Sequence, residues 1–241
     1  MRIFKFFKNK SVFRCFTPEV MVATIIIEGA IALYIVLRYH TTLFGRIATA
    51  VVILLAFFQA AEYHICTGSN VFMWAQVGFV AITFLPVLGY HLILLVSGHN
   101  HLLKLGYALA FLFGLYFLLS PNALTEPICG GNYIIFNPTQ GLPWLFKIYY
   151  FGFLFLAIKE AFQWIKNLRT IRGKGGALFW MVVGYLSFIV PVAFVMTTFN
   201  LGVNIFPSVA CGFAIIFALI LGLKVVPSYD EEHNKRKTPP R

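Results

Sequence analysis

The sequence predicts an all-α fold, a polytopic integral membrane protein built as a seven-transmembrane-helix bundle. Three observations carry that expectation. The 241 residues are 60% hydrophobic and only 11% charged, where a soluble domain is roughly a quarter charged, and mean hydropathy is +0.83. The apolar residues come in blocks rather than in the 3.6-residue stripes of water-facing helices. Seven of those blocks reach the ~20 residues needed to cross ~30 Å of hydrocarbon.

The first 17 residues read as a basic amphipathic segment, with Phe and Ile interleaved among Arg2, Lys5, Lys8, Lys10 and Arg14. Such a stretch suits the membrane surface. It also resembles a signal peptide's basic start, with Ala30-Ile31-Ala32 as a cleavage site. The apolar run continues to Leu37 and contains Glu28, so it is read as uncleaved. The seven-helix domain occupies 18–226, with spans expected at 18–37, 43–65, 71–96, 102–120, 142–164, 177–198 and 205–226. Pro86 and Pro191 fall inside the third and sixth spans, where they kink a helix and free backbone carbonyls. The connection 120–143 is rich in Pro and Gly and reads as a long loop. The stretch 169–176, RTIRGKGG, reads as a basic flexible loop. The segment 227–241 is polar and charged and is expected to be a disordered tail. No repeat or second domain appears, and a soluble catalytic domain has no room, so function is expected within the bundle or its loops.

The formal charge of +11 does not imply nucleic acid, because the positive residues flank the spans. With seven spans, alternate loops share a side. One side receives Arg38, Arg46, Lys104, Lys159, Lys166, Arg169, Arg172, Lys174, Lys224 and the basic tail; the other receives only the N-terminal five. Lys147 sits just inside the fifth span and can snorkel. The positive-inside rule then places the C-terminus in the cytoplasm and the N-terminus outside.

Within this apolar frame, Gln59, Glu62, Tyr63, His64 and Cys66 fall within eight positions of the second span. An intramembrane carboxylate costs ~2.5–3.5 kcal/mol on insertion scales, so it is normally buried against a partner and often functional. Glu28 lies near the middle of span one, and Glu62 about one turn from the outer end of span two. Gln59, three residues before Glu62, shares its helical face. Span three adds Gln76 and Thr83, span six Thr197 and Thr198, and span seven Asn204, Ser208 and Cys211. By depth these gather in the outer half of the bilayer, and a polar cavity opening outward is the economical inference. The bland alternative is a set of interhelical hydrogen bonds, worth only ~0.6 kcal/mol each on average. His91, alone in span three, reads as a satisfied structural donor, and the HNH of 99–101 as a solvated loop.

Cys15, Cys66 and Cys129 fall at or beyond the outer boundary. On an oxidising side one disulfide is most simply Cys66–Cys129, and unpaired apolar cysteines are the alternative. A zinc site on Cys66 and His64 lacks CxxC or HxxxH spacing. No covalent-nucleophile arrangement, phosphate loop or dinucleotide fingerprint occurs, so no cofactor is expected. No lysine stands at mid-depth in the last span, which disfavours a retinal Schiff base.

CFTPEV (15–20), FFQAAEYHIC (57–66), AITFLPVLGYHLI (81–93) and FPSVACGFAII (206–216) resemble an uncharacterised family of small seven-helix bacterial membrane proteins. That family's pattern is Cys-Phe-Ser before the first span, Gln-x-x-Glu in the second, Pro in the third and Ser-x-x-Cys in the last. The resemblance marks Cys15, Phe16, Gln59, Glu62, Pro86, Ser208 and Cys211. Thr17 stands where the family has Ser, fourteen residues precede Cys15, and no Trp follows Glu62. The layout is also similar to the N-terminal seven-span region of sensor histidine kinases, with NLGVNIFP (200–207) as the best local match. No kinase domain follows, so signalling would use a separate partner.

The resulting expectation is a receptor-like or sensory module that binds a small or lipophilic ligand in an outer-half polar cavity. Its ligand-binding candidates are Glu28, Gln59, Glu62, His64, Gln76, Ser208 and Cys211. The rivals are a small proton-coupled transporter using Glu28 and Glu62, and an intramembrane metal-assisted enzyme using Glu62, His64 and a thiol. Inverted repeats would favour transport, and the sequence has none.

Overall fold

Thr17 and Pro18 begin the first helix as chemistry suggests, because proline at the opening position loses no hydrogen bond and presets φ. A computed structural model describes residues 17–68, 70–98, 102–120, 123–124, 127–129, 134–135, 143–168, 175–198 and 205–237. The helices are α1 (Pro18–Tyr39), α2 (Leu43–Thr67), α3 (Val71–Ser97), α4 (Leu103–Leu119), α5 (Pro143–Leu168), α6 (Gly175–Thr198) and α7 (Phe206–Ile220). A π turn, Leu221–Val225, joins α7 to α8 (Val226–Lys237), and two short strands, β1 (Ile128–Cys129) and β2 (Ile134–Ile135), form an antiparallel hairpin between α4 and α5.

The punctuation of the chain is chemical. The Thr42 hydroxyl accepts the Gly45 N–H at 3.0 Å and opens α2, satisfying one of the orphan donors of a helix start. Helices α2 and α3 both stop at a glycine in the left-handed region, Gly68 and Gly98, each at φ 80°. Such a residue turns the chain while its N–H caps the last carbonyls.

Five helices are long and apolar enough to cross a membrane: α1, α2, α3, α6 and the continuous α7–α8. Helix α4, with 17 residues, is about 25 Å long at 1.5 Å per residue, short of the ~30 Å core. Helix α5 carries Lys147, Lys159 and Glu160 along its apolar run. The bundle is that of a multi-pass membrane protein. Its outer surface carries exposed Leu33, Leu37, Phe111, Leu112, Phe155 and Phe194, an apolar face that water would not tolerate at this extent.

Neighbours in sequence pack as neighbours in space, α1 on α2, α2 on α3, α3 on α4 and α6 on α7. Helix α5 lies against α3 and α6, and α7 returns to α1 and α2, closing a ring with α4 outside it. Pro86 removes the N–H that would bond the Ile82 carbonyl. One residue on, the Thr83 carbonyl accepts the Tyr149 hydroxyl at 2.6 Å, tying α5 to the bend in α3.

Residues 227–237 are helical, which corrects the expectation of a disordered tail. The helix simply continues out of α7. The π turn precedes Pro227, whose ring in a regular α-helix would press on the carbonyl four residues back. Tyr229 then stacks on Phe44 of α2 at 4.1 Å, and Glu232 accepts the Gly176 N–H at 3.1 Å. A charged, hydrophilic sequence gains order here because one apolar ring and one helix-start donor hold it. The basic segment 1–16 with Cys15 and Phe16, the His99 and His101 loop, the basic loop 169–174, and Asn204 lie outside the described residues.

Candidate functional site: a sealed acidic cluster beside an aromatic cavity

The hairpin end of the bundle is fixed by covalent chemistry. Cys66, on the last turn of α2, is bonded to Cys129 of β1, with Cα atoms 5.3 Å apart. Strand pairing carries that anchor to Ile134, which is fully buried and donates its N–H to the Ser208 hydroxyl at 3.2 Å. The hairpin strands are thereby seated on the start of α7.

Beneath them, five of the seven sequence-selected residues come together. Gln59 and Glu62 present one face of α2 toward α1 and α7; Glu28 comes from α1, and Ser208 and Cys211 from α7, three residues apart. All five are buried, Glu28 at 0% and Glu62 at 1% exposure. The Gln59 side-chain amide donates to Cys211 Sγ at 3.2 Å. Glu28 and Glu62 lie within electrostatic range of one another and of the Cys211 thiol. Ser208 faces Glu62 without reaching hydrogen-bond geometry, and none of the four carboxyl oxygens has a hydrogen-bond partner among the described residues.

The basic candidates do not serve as counter-ions. The His64 ring stacks on Trp74 at 4.1 Å. His91 Nδ1 is 2.8 Å from the Tyr107 hydroxyl. Lys147 lines a different feature.

His64 and Gln76 are therefore not part of this cluster. Two residues past Glu62, His64 is turned about 200° around the helix axis and meets α3. Gln76 donates to the carbonyls of Phe117 at 3.0 Å and Leu118 at 3.2 Å. Those are end-of-helix acceptors of α4 that lack intrahelical partners. The threonines serve their own helices: Thr83 donates to the Phe79 carbonyl at 2.6 Å and Thr197 to the Ala193 carbonyl at 2.7 Å.

Nor is the space in the bundle polar. A cavity of about 110 Å³ lies among α2, α3, α4, α5, α6 and α7, with Cys211 in its wall and neither acid lining it. Phe79, Phe117, Phe146, Phe188, Phe206 and Phe217 contribute to its walls. Pro86 and Gly89 form part of the α3 wall. A Cβ at Gly89 would collide with the Tyr185 hydroxyl, so glycine is required there for α6 to approach. The expectation of an acid-lined cavity is thus replaced by two adjacent features that share one thiol. Of the residues that line the cavity, Lys147, Tyr116, Tyr150 and Tyr185 carry polar ends and stand outside the sequence-selected set, while Cys211 belongs to it. Their signal was present: Lys147 and Tyr150 are three apart on α5, hence on one face, and Gly89 inside an apolar helix marks a close approach.

Zinc chemistry on Cys66 and His64 is not assembled, since the thiol is bridged and the ring is stacked on Trp74. The described residues bring no three His, Cys, Asp or Glu side chains together in a metal-binding group. No protein family, curated protein or solved structure matches the chain.

Proposed function

We propose that this protein is a receptor-like membrane module that binds a small lipophilic ligand in the aromatic cavity of its hairpin half. The cavity carries the proposal. It is concave, walled by aromatic side chains from several helices and supplied with a few polar groups, the usual make-up of a small-molecule site. At about 110 Å³ it is somewhat smaller than the roughly 150 Å³ engineered cavity that holds benzene, so the enclosed part of the ligand is compact. The basic end, with Arg38, Arg46, Lys224 and α8, faces the cytoplasm in this reading, as the positive-inside rule requires. It would there meet a separate signalling partner.

The test is photolabelling in a zwitterionic nanodisc with a neutral diazirine-bearing phenyl probe. Label on peptides from α3, α5 and α7, lost in Ala214→Leu, supports the site. Label confined to the exposed faces, unchanged by Ala214→Leu, contradicts it.

The two unpartnered carboxyl groups favour a second reading, a proton-coupled carrier in which Glu28 and Glu62 exchange protons. Proton uptake into liposomes that depends on both acids would favour it; equal flux in Glu28→Gln/Glu62→Gln would end it.

A further inference from the structure

Four residues with polar ends line the cavity beside the Cys211 thiol, Tyr116 of α4 among them. Lys147, half-buried on the second turn of α5, supplies an ammonium; Tyr150, three residues on, and Tyr185 of α6 supply hydroxyls. Among the described residues, Lys147 has no acidic partner, and neither hydroxyl has a hydrogen bond. Glu28 and Glu62 are turned into the neighbouring cluster. Among the described lining residues Lys147 carries the only positive charge, and no carboxylate lines the cavity.

Resting on the cavity being the ligand site, we infer that its ligand is a small carboxylate with a compact apolar body, the carboxylate paired with Lys147 and the body against the aromatic walls. A neutral lipophile would make no use of the one positive charge among the described lining residues. A carboxylate gives it a charge-assisted partner and leaves the hydroxyls available to a second acceptor.

The experiment is competition against the neutral phenyl photoprobe in phosphatidylcholine nanodiscs, using phenylacetate and 2-phenylethanol, which match in shape and differ in charge. The acid-to-alcohol ratio of competing strength is compared among wild type, Lys147→Gln and Lys147→Arg, so that bilayer partitioning cancels. The expected result is a ratio at least about tenfold lower in Lys147→Gln than in wild type, the size a charge-assisted hydrogen bond carries, and largely kept in Lys147→Arg. An unchanged ratio in Lys147→Gln, with the probe still displaced by both compounds, overturns the carboxylate and leaves the cavity reading standing. Absence of cavity labelling in wild type overturns both. Loss of phenylacetate competition when phosphatidylglycerol is added to the nanodisc overturns the free carboxylate in favour of an anionic lipid headgroup.

Discussion

The acidic cluster and the aromatic cavity lie side by side and share Cys211, yet their polar inventories differ. The cluster is rich in acceptors and closed: Glu28, Glu62 and Ser208 are at or near zero exposure, and Ile134 is packed over them. The cavity is open in its centre, with Lys147, three tyrosines and the shared thiol on a largely aromatic wall. In this bundle the conspicuous polar residues of the spans are buried against other helices, and the open space lies beside them, where bulky rings and a glycine leave a gap.

The largest expected effect breaks the lid of the cluster. Removing the Cys66–Cys129 bridge as Cys66→Ala/Cys129→Ala opens a loop with a sequence separation of 63 and costs at most about 4 kcal/mol by loop-closure entropy. The loss is measured by thermal unfolding in nanodiscs. Faster hydrogen exchange at the Ile134 amide should accompany it, with photoprobe labelling kept. In the intact protein, both cysteines should resist maleimide until reductant is added; free labelling without reductant contradicts the bridge.

Ser208→Ala comes next. It removes the acceptor of the Ile134 N–H, and stranding that buried donor costs roughly 1–3 kcal/mol. The same thermal measurement reads it, and an unchanged stability would mean that the hairpin does not seat on α7.

The acids themselves sharpen the comparison with a smaller effect. Glu62 has no basic partner, so Glu62→Gln should change stability by less than about 1 kcal/mol, where breaking a true buried ion pair costs ~3–5 kcal/mol. Glu62→Leu should behave similarly, because the Gln59 amide is held by Cys211 rather than by the acid. A loss of several kcal/mol in both variants would mean that Glu62 holds the bundle together through a partner.

How much of this was legible follows from what each feature rests on. The helices were legible because length and apolarity dictate them, and the interior proline of α3 because it lacks an N–H. Gln59 with Glu62, and Ser208 with Cys211, were legible as pairs because i,i+3 spacing fixes a common face. The Cys66–Cys129 pairing followed from both thiols falling at one end of the bundle, although free thiols remained an equal reading until the chain was folded. His64 and Gln76 were misplaced because shared depth does not imply a shared direction. His64 points a half-turn away from Glu62, and Gln76 finds the carbonyls of α4, which no local pattern announces. The order of 227–237 was hidden for a related reason: it depends on Phe44 and Gly176, distant in sequence. The cavity was least legible, since its walls are ordinary apolar residues and only packing decides where they fail to meet.

In the proposed function, ligand occupies the cavity and the acids do not line it. Photoprobe labelling of wild type, Ala214→Leu and Glu62→Gln tests it in one experiment, with thermal stability of each variant recorded alongside. Ala214 lines the cavity, and the three added carbons of leucine enter space already there, so the cost to folding should stay at or below the ~1–3 kcal/mol usual for an enlarged core side chain. The predicted result is that Ala214→Leu abolishes labelling of α3, α5 and α7 peptides while Glu62→Gln leaves it at the wild-type level. Labelling lost in Glu62→Gln and kept in Ala214→Leu would contradict the account and return the site to the acids.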